Sequence, residues 1–120
     1  GWQAEGVELD PALAAQASAG GFKVIARPAE NAGLESGRYD AATAFEVFSA
    51  MTDPAAAAAA VMAALKPGGA IYVREFNASF HLAAETPLLR RVFSAFGLKP
   101  SVLHNFNFRA KSLRRIFNNF

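Results

Sequence analysis

One sequence pattern occurs twice in this chain. An apolar stretch leads into Asp-Pro, an alanine-rich segment follows, and a pair of glycines comes after that segment. The first copy spans Asp10-Pro11 to Gly20-Gly21, and the second spans Asp53-Pro54 to Gly68-Gly69. Aspartate caps a helix start, proline suits the first helical position, and glycine ends a helix. Strands that alternate with such helices predict an α/β fold with a mostly parallel sheet.

Helix-capping residues, prolines and glycines divide the whole chain into predicted elements. Strands are predicted over residues 2–9, 22–26, 39–45 and 70–73, and helices over 11–17, 54–65, 86–96 and 111–117. A loop is predicted over 77–84 and an extended segment over 102–108. The last helix carries an apolar face of Leu113, Ile116, Phe117 and Phe120. Gly69 is predicted to have a positive φ between helix and strand.

Composition narrows the class of protein. With 120 residues and 52% hydrophobic content, the chain fits one globular domain, and a net charge of +2 gives no reason to expect a nucleic-acid partner. The absence of cysteine and the presence of only His81 and His104 predict no metal site. The longest apolar run, 54–65, is shorter than the roughly 20 residues that cross a bilayer. A cytoplasmic protein is expected, and the oligomeric state stays open.

The acid Glu8 ends the first predicted strand. In parallel sheets, ligands sit beyond the carboxyl ends of the strands, where a carboxylate can accept both hydroxyls of a ribose. The alternative is that Glu8 only caps or solvates a turn. The stretch by itself leaves both interpretations open.

Several pieces together resemble one family. They are Gly6-Val7-Glu8, the turn 37–40, Glu46-Val47-Phe48 with Asp53-Pro54, the tail 104–115 and, most specifically, Leu65-Lys66-Pro67-Gly68-Gly69. They resemble the class I S-adenosylmethionine-dependent methyltransferases, in the small-molecule branch that includes ubiquinone-pathway O-methyltransferases. The resemblance implies a Rossmann-like, three-layer α/β methyltransferase fold.

The resemblance covers essentially all of residues 1–120 but begins after the family's glycine-rich loop and ends before its last strands. It implies a partial domain, incomplete at both ends, with cofactor-side units over 1–76 and a substrate-side loop and helices over 77–120. The family's first strand would lie between the strands that end at Glu8 and Phe45. We therefore expect the chain alone either to stay partly unfolded or to close the gap by pairing the two inner edges directly. We also expect it to lack methyltransferase activity and to bind S-adenosylmethionine weakly or not at all.

The resemblance also implies S-adenosylmethionine as cofactor, with contacts from Glu8, Leu9, Ala29, Glu30, Ala44 and Phe45. Glu8 would accept the ribose hydroxyls and Leu9 would pack on the adenine. The Ala29 amide would meet the adenine ring. The family's acid before it is Pro28 here, so either Glu30 replaces that acid or the contact with the adenine amino group is lost. Ala44 and Phe45 would line the methionyl end.

No catalytic residue follows from the sequence. The Glu-His pair that often follows the family's fourth strand is Ser49-Ala50 here, so a base at that position is absent. His81 and His104 are candidate bases, with an ordinary loop histidine as the alternative. Methyl transfer from a sulfonium depends mainly on in-line positioning, so a dedicated base is not required. Arg109 replaces a helix-capping serine, which predicts a weak start for the last helix.

Two further groups have a functional and an ordinary interpretation. An aromatic substrate wall or plain core is predicted for Phe76, Phe80, Phe106 and Phe108. An anion-attracting or peripheral membrane surface, or more simply a solvated helix face, is predicted for Arg109, Lys111, Arg114 and Arg115. The function expected is S-adenosylmethionine-dependent methyl transfer to a small-molecule acceptor in the full-length parent. The alternatives are a non-catalytic interaction module and a nicotinamide-dependent dehydrogenase.

Overall fold

A computed structural model of the chain describes residues 1–79, 86–97 and 105–118. Its elements are β1 (Glu5–Glu8), α1 (Pro11–Ala19), β2 (Lys23–Ala26), β3 (Tyr39–Phe45), α2 (Pro54–Ala64), β4 (Leu65–Arg74), α3 (Pro87–Ala95) and α4 (Ala110–Phe117). Short 3₁₀ turns occupy Ala29–Asn31 and Phe48–Ala50. The alternation of strands and helices up to β4 agrees with the predicted α/β class. No helix in the described ranges has the length and apolar character needed to traverse a bilayer.

The first strand-helix-strand unit forms as its sequence predicts. Asp10 caps α1, because its Oδ1 accepts hydrogen bonds from the amides of Ala12 at 2.7 Å and Leu13 at 3.4 Å. The helix ends at Gly20, and Gly21 takes a φ of +88° in the turn. β1 and β2 pair in parallel from Glu5 opposite Lys23 to Glu8 opposite Ala26. β1 is shorter than predicted, since residues 2–4 lie outside the paired segment.

β3 and β4 form a second two-stranded sheet. Backbone bonds run from Arg38 N to Ala64 O and from Glu46 N to Arg74 O, so the two strands point the same way. β3 has the predicted bounds, but β4 begins at Leu65, five residues before its predicted start. In the described part of the chain the strands form two separate sheets, β1–β2 and β3–β4. Direct pairing of the two inner edges, one of the two expected outcomes, is therefore not seen.

The glycine predicted to have a positive φ is misassigned by one position. Gly68, not Gly69, has the left-handed backbone, with φ of +78°. Gly69 is restricted for another reason: a Cβ there would lie 2.9 Å from Lys66 O and 3.2 Å from Asp40 O. Its prediction of a positive φ is wrong because close backbone approach, which sequence does not show, sets this position.

The chain divides into two compact units. The first contains residues 1–42 and 55–71, and the second contains residues 43–54 and the described residues from 72 onward. Small side chains dominate the interior of the first unit, where Ala14, Ala32, Ala57, Ala58 and Ala64 are buried. The division predicted at residue 76 stays a prediction.

The second unit is built around Phe48, which is 1% exposed. Its ring meets the ring of Phe117 edge-on, with centroids 5.4 Å apart. Leu113 and Ile116 are half-buried with Phe117, as predicted for the apolar face of α4; Phe120 lies outside the described residues. Asn105–Phe108, the described part of the segment predicted over 102–108, contains no strand, and most of the loop predicted over 77–84 is not described.

α4 starts without a capping side chain at Arg109. Instead, the hydroxyl of Ser112 accepts a hydrogen bond from the Arg109 amide at 2.9 Å. This bond satisfies one donor at the helix start, so the substitution that predicts a weak start is partly compensated from inside the helix.

Candidate cofactor and ligand sites

The edge where β1 and β2 end carries four of the six predicted cofactor residues. Because Glu8 pairs with Ala26, the two strands end level, and Leu9 and the 3₁₀ turn at Ala29 and Glu30 follow at that edge. Carboxyl ends of parallel strands are where ligands bind in open α/β sheets. The structure therefore brings Glu8, Leu9, Ala29 and Glu30 to one edge of the sheet.

Glu8 is half-buried and uses one oxygen locally. Its Oε1 accepts a hydrogen bond from the amide of Asp10 at 2.9 Å, so the turn-capping interpretation is observed. Within the described ranges its Oε2 has no hydrogen-bond partner. Because a carboxylate has several acceptor sites, capping the turn and accepting a ligand hydroxyl are compatible.

The neighbours of Glu8 offer apolar and polar groups of the kind an adenosine needs. Leu9 is 68% exposed, so its side chain can lie against a flat ring. The amide of Ala29, held in its turn after Pro28, donates to no group among the residues described. An exposed apolar face, an open amide and a carboxylate are the kinds of group that ligand sites combine.

Ala44 and Phe45 lie at the end of β3, in the second unit. Phe45 is 48% exposed and meets Tyr72 edge-on at 5.7 Å between ring centroids. The guanidinium of Arg74 lies 5.2 Å from the Phe45 centroid and forms an ion pair with Glu46 at 3.1 Å. The predicted site thus divides into four residues of the first unit and two of the second, and the roles of all six stay predictions.

A cluster of charges lies at the other end of β1. The Glu5 carboxylate, 12% exposed, accepts hydrogen bonds from Lys23, from Arg38 Nη2 at 2.7 Å and from Tyr39 Oη at 2.5 Å. The bonds from Lys23 and Tyr39 lower the pKa of Glu5, and the bond to Glu5 raises the pKa of Tyr39. Since this cluster lies where the strands begin, it joins elements rather than forming part of the edge at Glu8.

A residue missed by the sequence analysis occupies the second unit. Glu75 directly follows β4, and its Oε1 accepts hydrogen bonds from the amides of Phe48 at 2.6 Å and Ser49 at 3.4 Å. Its Oε2 and the hydroxyl of Ser49 are buried without a partner among the described residues. The signal was available, because Glu75 is an acid at a strand end, as Glu8 is.

A cleft of about 240 Å³ lies beside Glu75. It is lined by Val73–Asn77, Phe108–Ala110 and Leu113, all of the second unit. Phe76 and Phe108, two members of the predicted aromatic wall, line it directly. Phe106 stacks on Phe108 with centroids 6.1 Å apart, while Phe80 lies outside the described residues. Phe108 is also buried, so it fits the ordinary core interpretation as well as the substrate-wall interpretation.

The candidate bases His81 and His104 fall outside the described residues. In the three described ranges, no group of three histidine, cysteine or acidic side chains could hold a metal ion. Arg109, Lys111, Arg114 and Arg115 are exposed, as expected for a solvated face. Arg109 also lines the cleft beside Glu75.

Comparison with known proteins gives one finding. Residues 1–120 match the family described as a methyltransferase domain. No curated protein and no solved structure matches the chain.

Proposed function

Because this chain belongs to the methyltransferase domain family over residues 1–120, we propose that it serves methyl transfer from S-adenosylmethionine to a small-molecule acceptor. In that reaction an acceptor atom would attack the methyl carbon, the bond from that carbon to sulfur would break, and S-adenosylhomocysteine would leave. A hydroxyl or amine acceptor would give up its proton to solvent. The protein has to hold donor and acceptor in line and exclude competing geometries. The small-molecule branch named by the resemblance, and a cytoplasmic location, are part of the proposal.

The position of Glu8, with one oxygen free among the described residues, is the observation that supports the cofactor assignment. It ends β1 level with the end of β2, and one of its oxygens has no partner among the described residues. A ribose offers two hydroxyl donors, and a charged acceptor makes the stronger bond to such a donor. Leu9 and Ala29 would add the apolar face and the amide for adenine, and Glu30 belongs to the same 3₁₀ turn as Ala29.

The cleft beside Glu75 supports the small-molecule acceptor. Its volume of about 240 Å³ lies below the roughly 300–1,000 Å³ of drug-sized ligand sites, so it suits only a small acceptor. Apolar side chains from Val73, Phe76 and Leu113 would hold the body of a small molecule. The guanidinium groups of Arg74 and Arg109, which line the cleft, would orient its polar substituents.

Two other functions are distinguishable from this one. A nicotinamide-dependent dehydrogenase would use a strand-end acid for the same ribose contact, so Glu8 alone does not separate the two. A non-catalytic interaction module would keep the fold and lose transfer. Family membership favours methyl transfer over the dehydrogenase.

Calorimetric titration of the full-length protein tests the cofactor assignment. Glu8→Gln retains an oxygen for the Asp10 amide and removes the charge, so it separates turn capping from ribose binding. We expect the affinity for S-adenosylmethionine to fall roughly 5- to 150-fold, from the loss of about 1–3 kcal/mol of charged hydrogen bonding. Glu35→Gln is the matched control, because Glu35 is 72% exposed and pairs only with Arg38 among the described residues.

Equal affinity in Glu8→Gln and the unmodified protein would remove Glu8 from the site. Titration with NAD in parallel tests the dehydrogenase, which predicts that NAD binds more tightly than S-adenosylmethionine. Transfer of a labelled methyl group to a panel of small hydroxyl and amine compounds tests turnover. Tight cofactor binding with no transfer to any of them would favour the non-catalytic module.

A further inference from the structure

α3 presents an apolar face that no described part of the protein covers. Leu88 is 74% exposed, Val92 44% and Phe96, which follows the helix, 77%. These three residues are spaced four apart, and Leu89, 38% exposed, lies beside them on the same side of the helix. Large apolar side chains that are exposed together, rather than singly, mark an interaction surface.

The opposite side of α3 is basic. Arg90 and Arg91 are both exposed. At 3.6 residues per turn they lie on the side of the helix away from Leu88, Val92 and Phe96. The surrounding sequence is also basic: residues 77–120 contain seven lysines and arginines and one acid, or a net +6, whereas residues 1–76 contain five basic and nine acidic residues, or −4. The total of +2 thus conceals a strong separation of charge along the chain.

We propose that α3 docks on an anionic lipid surface, with its apolar face in the headgroup region and Arg90 and Arg91 near the phosphates. A short helix with an apolar face and basic flanks lies in the plane of a membrane, because nine residues span only about 14 Å and cannot cross the bilayer. Each basic residue near such a surface contributes about 1 kcal/mol, equivalent to roughly fivefold in affinity. This proposal does not depend on methyl transfer.

Charge decides between a lipid surface and a second copy of the chain. Two copies that met through α3 would bring together two segments of net +6, and like charges repel association. An anionic membrane complements both properties of the helix at once. The exposed side chains of Lys111, Arg114 and Arg115 on α4 add to the positive charge of the same segment.

Vesicle flotation of the full-length protein tests the proposal. The probes are vesicles of phosphatidylcholine alone and vesicles of equal parts phosphatidylcholine and phosphatidylglycerol. We expect binding to the anionic vesicles alone, and a fall in binding as added salt shortens the Debye length from about 10 Å at 0.1 M to about 3 Å at 1 M. Arg90→Gln with Arg91→Gln is expected to weaken binding about 25-fold, from fivefold for each charge, and Phe96→Ser at least fivefold.

Arg27→Gln and Phe22→Ser are the matched controls, because both residues are exposed and lie far along the chain from α3. Both are expected to bind anionic vesicles as the unmodified protein does, and unfolding curves verify that every variant is folded. Absence of binding by the folded protein overturns the proposal, as does an equal loss in Phe96→Ser and Phe22→Ser. Self-association that Phe96→Ser abolishes, without vesicle binding, would assign the face to a second copy instead.

Discussion

The phenol of Tyr39 donates a hydrogen bond of 2.5 Å to the carboxylate of Glu5. Glu5 belongs to β1 and Tyr39 begins β3, so this bond joins two strands that lie in different two-stranded sheets. Arg38 Nη2 reaches the other carboxylate oxygen at 2.7 Å. Side chains at the start of the strands therefore link the two sheets where the described backbone does not.

Tyr39→Phe is expected to reduce the free energy of unfolding by about 1 kcal/mol, because the ring stays and only the hydrogen bond to a half-exposed ionic cluster is lost. Tyr72→Phe is the control: the same hydroxyl is removed from a side chain that is 60% exposed and forms no hydrogen bond within the described residues. Urea denaturation measures both. Equal stability of the two variants would show that the Tyr39 bond contributes nothing.

Stability is expected to fall in acid because of Glu5 and Asp40. The hydrogen bond from Lys23 holds the pKa of Glu5 below its ordinary 4.5, and the bond from Lys66 holds the pKa of Asp40 below its ordinary 3.8. A carboxyl whose pKa is lower in the folded state stabilises the fold above the ordinary value, and this contribution is lost as the pH falls through the folded-state pKa. The unfolding free energies of the unmodified protein and Glu5→Gln should therefore differ at pH 7 and converge in acid.

Denaturant titrations from pH 7 downward measure that convergence. Glu35→Gln is a suitable reference, since it removes a carboxyl that is 72% exposed. A difference between Glu5→Gln and the unmodified protein that is independent of pH would contradict the ionic origin of the contribution.

Helix-capping residues, prolines and glycines made much of the fold predictable, because they act on the few residues next to them. The Asp10 cap, Pro11, Pro54 and the glycine at the end of α1 set helix positions through interactions within a few residues, and these positions agree with the structure. The second predicted glycine stop is wrong, because α2 already ends at Ala64 and Gly68 and Gly69 lie inside β4. The early start of β4 was not predictable in this way. The amides of Gly37 and Arg38 donate to Ala63 O and Ala64 O, and these bonds form between residues far apart in sequence.

The site was predictable to the same extent. Glu8 could be singled out because an acid at the end of an apolar strand is a local pattern, and the structure puts it at the β1–β2 edge. Glu75 shows the same pattern, but its value lies in its contact with Phe48 and Ser49, which are 26 or more positions away. Pattern reasoning detects the acid and does not reveal its partners.

Glu75→Ala is expected to destabilise the second unit by about 1–3 kcal/mol, because the buried amide of Phe48 would lose the acceptor that lies 2.6 Å away. Glu75→Gln should cost less, since an amide oxygen can still accept that bond. Glu46→Ala is the control, because its ion pair with Arg74 is exposed and such pairs contribute about 0–1 kcal/mol. Thermal or urea unfolding orders the three variants, and a loss in Glu75→Ala no larger than in Glu46→Ala would refute the role.

Gly69→Ala is expected to destabilise the first unit by about 1–3 kcal/mol, the usual cost of forcing extra atoms into a packed position. The added Cβ would lie 2.9 Å from the backbone oxygen of Lys66 and 3.2 Å from that of Asp40, so backbone would have to move. Gly6→Ala is the matched control, because a Cβ there meets its nearest atom, in the side chain of Val24, at an ordinary 3.5 Å. Urea denaturation measures the unfolding free energy of both variants and so tests whether the added Cβ at position 69 is crowded by backbone. Equal losses of stability in Gly69→Ala and Gly6→Ala would show that the backbone oxygens of Lys66 and Asp40 lie less tightly against Gly69 than these distances indicate.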